Sequence, residues 1–182
     1  VFVKVALTHV QFESIHPYRD GNGRLGRALI SLQLSKLKGD EPILFLSEII
    51  ETFKLNYYNS LNECRTGNYE PFIKFFLQCV IDQCRININR INAISKIYDE
   101  DEEIIKLKVK GTTALRLHPL MMKKIVFTAS EMATELNVHI NTIQIILNKL
   151  IDLKMIVKEK KNNTNRITYR YKKVYDVFVD KM

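Results

Sequence analysis

Apolar positions recur every three to four residues over most of the chain, and this period predicts helix after helix. Val3, Ala6, Leu7 and Val10 fall on one helical face, while Pro17 disfavours helical geometry at His16, so a first helix should end near Ile15. Leu25, Leu29 and Leu32 resume the period up to Gly39, which suits a helix end. Ser47 is placed to cap a third helix reaching about Cys64, and Gly67 with Asn68 makes the next turn. Pro71 suits the start of a helix, and Phe72, Phe75, Phe76, Cys79, Val80, Gln83 and Ile86 carry that helix beyond Ile94.

The pattern then changes. The acidic run at residues 99–103, followed by Lys106, Lys108, Lys110 and Gly111, offers little to a core until Leu115 and predicts a domain boundary, with a first domain at 1–105 and a second at 111–182. Thr128 and Glu131 form a capping-box pair opening a short helix to Leu136, and residues 137–140 turn into a second helix reaching about Leu153. Residues 156–160 and 166–171 alternate as strands around the polar loop 161–165. Helix, helix, turn, helix and hairpin is the order of a winged helix-turn-helix. The expected fold class is therefore mainly α: a helical bundle followed by a small winged helix-turn-helix (α+β) module.

Composition narrows the function classes. Over 182 residues, 46% are hydrophobic and 26% charged, which are globular proportions, and no apolar run approaches the roughly 20 residues that span a bilayer. Cys64, Cys79 and Cys84 include no C-x-x-C pair, so neither a disulfide framework nor a zinc site is expected, and a reducing, cytoplasmic setting fits best. The chain starts without Met, inside a predicted helix, and is expected to be a piece of a longer protein. The net charge is +8, and residues 122–173 hold 11 basic side chains against four acidic ones. That segment could be an electrostatic footprint for nucleic acid or a solvated basic face. On the second helix of the predicted module, Asn141, Gln144 and Asn148 fall together outside the apolar stripe. Asn and Gln can read adenine edges, and Lys149, Lys158, Lys160, Lys161 and Arg166 could meet phosphates. Ile140 and Ile145 are apolar where DNA contacts are usually polar, and such modules also serve in protein docking and homodimers.

Reactive residue types are densest in residues 16–27, HPYRDGNGRLGR. Gly21, Gly23 and Gly26, with Asp40 downstream, formally match the dinucleotide fingerprint G-x-G-x-x-G, but no strand is predicted before them. A second reading keeps the glycines as an anion cradle: a turn entering a helix exposes backbone N–H groups, and glycines admit a phosphate close to them. Arg24 and Arg27 could clamp anionic oxygens, Asp20 offers the hard oxygen ligand that Mg²⁺ takes beside phosphates, and His16 is a base near neutral pH.

This segment resembles the Fic family, whose signature H-P-F-x-D/E-G-N-G-R-x-x-R matches residues 16–27 position by position except for Tyr18 in place of Phe. The resemblance extends through the helices to about residue 98 and implies a Fic-type helical bundle. It implies transfer of AMP from ATP to a Ser, Thr or Tyr hydroxyl of a target protein. His16 would be the base and Asp20 the Mg²⁺ ligand. Asn22 and the backbone of residues 21–23 would stabilise the transferring α-phosphoryl, with Arg24 and Arg27 on the outer phosphates; Gly23 stands where phosphorylating relatives have Lys. The ring at position 18 is expected to anchor the loop in the core. Tyr57 and Tyr58 lie where relatives line a nucleotide pocket, with core packing the other reading, and His9 is expected to pack. The target-aligning flap and any inhibitory helix would lie upstream, so this piece is expected to be incomplete as an enzyme. The competing class is a DNA-binding transcriptional regulator whose catalytically inactive Fic core senses a nucleotide.

Overall fold

A computed structural model describes residues 1–36, 42, 44–160 and 167–179. The fold is mainly α with a small α+β module, and the chain divides into two compact units, Val1–Ile88 and Asn89–Met182. The division falls inside one long helix.

The first unit holds α1 (Phe2–Ile15), α2 (Asn22–Ser35), α3 (Ser47–Thr52), α4 (Lys54–Cys64) and the start of α5 (Glu70–Ile104). Its core gathers Val5, Ala6 and Val10 from α1, Ile30 and Leu34 from α2, and Tyr57, Phe72 and Phe76 from α4 and α5. The single helix expected from Ser47 to Cys64 is interrupted at Phe53, where φ −108° and ψ 38° leave the helical region. Hydrogen bonds from Phe53 N–H to Ile49 O and from Tyr57 N–H to Phe53 O bridge the break, so an apolar period runs through it unaltered. Ser47 begins α3 but caps nothing; the cap position is Leu46, with no side-chain bond. Gly39, expected to end the second helix, lies outside the described residues, as does Asp40.

The second unit contains the rest of α5, a π-helical turn (Ile105–Val109), α6 (Thr112–Lys124), β1 (Val126–Phe127), α7 (Ala129–Leu136), α8 (Ile140–Asp152), β2 (Ile156–Lys160), β3 (Ile167–Tyr171) and α9 (Lys172–Val179). The three strands form one antiparallel sheet in the order β1-β3-β2, with Val126 opposite Arg170 and Ile156 opposite Tyr171. The Thr128–Glu131 capping box is formed in both directions and fixes the start of α7.

The acidic run at residues 99–103 lies within α5 rather than in a linker. Asp101 is fully buried and accepts a hydrogen bond from the Tyr171 hydroxyl at 2.7 Å, while Lys173 Nζ approaches its other oxygen at 2.6 Å. Those partners satisfy a carboxylate that burial alone would penalise. Ile105 and Val109 then enter the same core as Leu117, Ile143, Leu147 and Tyr171. No helix among the described residues is long and apolar enough to cross a membrane.

Candidate active site

The turn between α1 and α2 carries the reactive cluster, and its shape follows from three local facts. His16 ends α1 in the left-handed region (φ 47°, ψ 58°), its N–H bonded to Phe12 O at 3.0 Å. That conformation costs a non-glycine residue on the order of 1 kcal/mol, and the neighbouring Pro17 already excludes a further right-handed turn. Gly21 at the N-cap of α2 sits at φ 83°, which glycine adopts freely. Asn22 is buried, and its side chain closes the turn: Nδ2 donates to Tyr18 O, and Oδ1 accepts from Tyr18 N–H at 3.0 Å.

The turn therefore hangs from the backbone of Tyr18, not from its ring. Tyr18 is 56% exposed, contrary to the expectation that its ring would anchor in the core. The buried Asn22 amide supplies the anchor instead.

The start of α2 points at this turn with unsatisfied donors. Gly21 O accepts from Leu25 N–H at 3.0 Å, and no side chain among the described residues caps the helix, so the first N–H groups have no intrahelical acceptor. Arg24 is exposed, with its guanidinium 3.5 Å from the Asp20 carboxylate, and Arg27 is half-buried. The structure thus brings His16, Asp20, Gly21, Asn22, Gly23, Arg24, Gly26 and Arg27 to one turn and the helix that follows it. Asp20 is almost fully exposed; one of its oxygens accepts from Gly21 N–H at 2.6 Å.

No group of three His, Cys, Asp or Glu side chains among the described residues forms a metal cage. Mg²⁺ does not need one, since it keeps several waters and takes one or two carboxylates plus substrate phosphates. The exposed Asp20 carboxylate beside the uncapped start of α2 fits that donor set.

Beneath the turn, α1 and α2 approach closely at Gly26. A Cβ there would stand 2.6 Å from Glu13 Oε1 and 3.0 Å from His9 Cε1, so only glycine fits without displacing one or both. His9 is buried, hydrogen-bonded through Nε2 to the Tyr57 hydroxyl at 2.9 Å and stacked on Phe72. It packs, as expected, and so does Tyr57; Tyr58 is half exposed. Burial lowers the His9 pKa to about 4, with the Arg27 charge a lesser cause in the same direction. The unfolded chain then binds a proton that the native chain refuses between about pH 6.5 and 4, and stability falls as pH drops through that window. Chemical denaturation should show a loss of about 2 kcal/mol between pH 7 and 5, flattened in His9→Gln; an identical loss in the variant would assign the effect to other groups.

Glu13 belongs to the site as well, although nothing in the signature singles it out. Its side chain is 9% exposed, its Oε2 is 3.9 Å from His16 Nδ1, and its Oε1 is buried with no hydrogen-bond partner among the described residues. Burial raises its pKa, against the opposing charges of His16 and Arg27. The available signal was the spacing, i,i+3 to His16 and i,i+4 from His9 on one helix.

In the second unit, Asn141, Gln144 and Asn148 are exposed on α8 together with Ile140 and Ile145. Lys149 is engaged elsewhere: its Nζ donates to Val109 O at 3.3 Å. Lys158 and Lys160 are exposed on β2, and Lys161 and Arg166 lie outside the described residues. The structure therefore gathers the three polar residues on one helix face and withdraws one of the expected phosphate contacts. Thr128, Glu131, Ile140, Gln144, Ile167 and Tyr169 line an open groove of about 400 Å³.

The N-terminal part of the chain is similar to known proteins. The Fic/DOC family model matches residues 1–34. The chain is also 35% identical over 74 residues to the protein adenylyltransferase Fic of Nematostella vectensis, a match covering 41% of this chain and 16% of that protein. Similar matches, at 32% and 34% identity, are to the proteins of the same name from Aedes aegypti and Drosophila grimshawi, each covering 14% of the relative. The chain spans about a sixth of the length of these curated relatives. The family match at residues 1–34 spans the α1–α2 turn. The dinucleotide fingerprint has no support, because the glycines here join two helices.

Proposed function

We propose that the protein bearing this chain transfers AMP from ATP to a hydroxyl side chain of a target protein at the α1–α2 turn. The observation that supports this reading is the Asn22-closed turn, which carries an exposed imidazole, an uncapped helix N-terminus and two arginines within twelve residues.

In this reading His16 takes the proton from the attacking hydroxyl as it bonds to the α-phosphorus, and pyrophosphate leaves. The N–H groups at the start of α2 meet the charge that grows on the α-phosphoryl oxygens in an already oriented frame, which is where electrostatic stabilisation is largest. Arg24 and Arg27 bind the outer phosphates through planar donors suited to paired oxygens. Asp20 would hold Mg²⁺, which when bound neutralises charge on the phosphates. Gly23 leaves the floor of the turn without a side chain; a Cβ there would meet Arg27 Nη1 at 3.2 Å. Incubation of the full-length protein and candidate targets with ATP labelled at the α or the γ phosphate tests the reading. The α label should stay with denatured protein and the γ label should not. Retention of the γ label would make the reaction phosphorylation.

A second reading, of the second unit, is supported by the exposed row Asn141, Gln144 and Asn148: α8 enters the major groove of DNA, with Lys158 and Lys160 on the hairpin meeting phosphates. It predicts retention on duplex DNA that falls steeply with salt and weakens in Lys158→Ala and Lys160→Ala. Retention indifferent to salt would turn that face, with its exposed Ile140, Ile145 and Ile167, into a protein-docking surface.

A further inference from the structure

We infer that Glu13 is a positioning residue for His16: its carboxylate holds the imidazole by Nδ1–H and so leaves Nε2 free as the base. The inference rests on the reading of His16 as base, but its geometry stands apart from the family signature, which begins at His16.

Three observations converge on it. Glu13 Oε2 is the charged atom facing His16 Nδ1, at 3.9 Å, from the preceding turn of the same helix. The Glu13 side chain is more than nine-tenths buried, and its Oε1 has no hydrogen-bond partner among the described residues, an arrangement that costs free energy unless the carboxylate has work beside it. Its place is also tightly bounded: Oε1 lies 2.6 Å from where a Gly26 Cβ would stand and 4.0 Å from a Gly23 Cβ, so both glycines border the space it occupies. The carboxylate thus lies between the α1–α2 contact at Gly26 and the His16 ring.

The chemistry follows from imidazole tautomerism. Neutral histidine carries its proton on one nitrogen only, and the nitrogen without it is the base. A fixed acceptor beside Nδ1 favours the Nδ1–H form, orients the ring about its Cβ–Cγ bond, and stabilises the imidazolium formed when Nε2 takes a proton, the same division of labour as in a Ser-His-Asp triad. At 3.9 Å the contact is an ion-pair approach rather than a hydrogen bond, and the inference requires the exposed His16 ring to turn and close it. Burial raises the Glu13 pKa, and the charges of His16 and then Arg27 oppose that rise.

Nitrogen-15 NMR of the four histidines tests this without any turnover. In the native chain at a pH where His16 is neutral, its Nδ1 should show the protonated shift and Nε2 the unprotonated one. Glu13→Gln, which keeps an acceptor oxygen, should retain most of that bias. Glu13→Met, which fills the same volume without an acceptor, should lose it, with His118 resonances unchanged as the sign of an intact second unit. A native His16 found mainly as the Nε2–H tautomer would overturn the inference even if both variants failed to fold, as would equal tautomer mixtures in all three proteins. In the full-length enzyme, kcat for AMP transfer should fall about tenfold or more in Glu13→Met with KM for ATP unchanged, and recover in Glu13→Gln. Tautomer control without any AMP transfer would leave Glu13 as assigned and sink the transfer reading instead.

Discussion

His16→Ala in the full-length protein should reduce retention of the α-phosphate label by a factor on the order of 10² to 10⁴, the range expected when a general base is removed from a positioned nucleophile. The effect should fall on kcat, because in the proposed reaction the imidazole would act on the proton of the attacking hydroxyl and not on the bound nucleotide. ATP affinity should stay near that of the unaltered protein, since the cradle and the two arginines are untouched. Folding should be nearly unaffected: the His16 side chain is 59% exposed and fills no core position. Because His16 occupies the left-handed region, His16→Asn, which tolerates that region better than alanine, controls for backbone strain. Equal transfer by both variants and the parent would remove His16 as the base.

Asn22→Ala should do as much damage by a different route. The side chain makes two hydrogen bonds to the backbone of Tyr18 and is itself buried, so its loss strands a donor and an acceptor and leaves the turn unclosed. Each stranded group costs about 1–3 kcal/mol. Transfer should fall by a factor on the order of 10² or more, because donors aimed at a transition state lose their value once they wander. Nucleotide affinity should fall in parallel, unlike in His16→Ala, since the cradle itself is deformed. Titration calorimetry with ATP and Mg²⁺ separates the two variants. Undiminished affinity in Asn22→Ala would mean that the turn keeps its shape without the amide.

Much of this was legible in the chain because the controlling signals are local. The end of α1 at Ile15 was set by Pro17, and the start of α7 by Thr128 and Glu131, each within four residues of its partner. The helical period located α1, α2, α5 and α8 because each buries one apolar stripe. What escaped depended on distance in sequence. Phe53 breaks a helix without any break in the apolar period. β1 is two residues long and exists only because β3, more than 40 residues away, pairs with it. Asp101 reads as one member of an acidic run until Tyr171 and Lys173, some 70 residues on, close over it. At the turn, the residue types were legible and the mechanical roles were not. Tyr18 was expected to anchor by its ring and anchors by its backbone. Asn22 was read for its chemistry and also holds the shape. Glu13 reads as an ordinary polar helix residue until the Gly26 contact encloses it.

The most direct measurement is a structure of the full-length protein with Mg²⁺ and an ATP analogue that cannot be cleaved at the α–β bond. The account predicts the α-phosphate at the first N–H groups of α2, the outer phosphates on Arg24 and Arg27, and the His16 ring turned with Nε2 toward the face that an incoming hydroxyl would approach. A nucleotide bound elsewhere with this turn empty, or an imidazole facing away from the α-phosphorus, would contradict it.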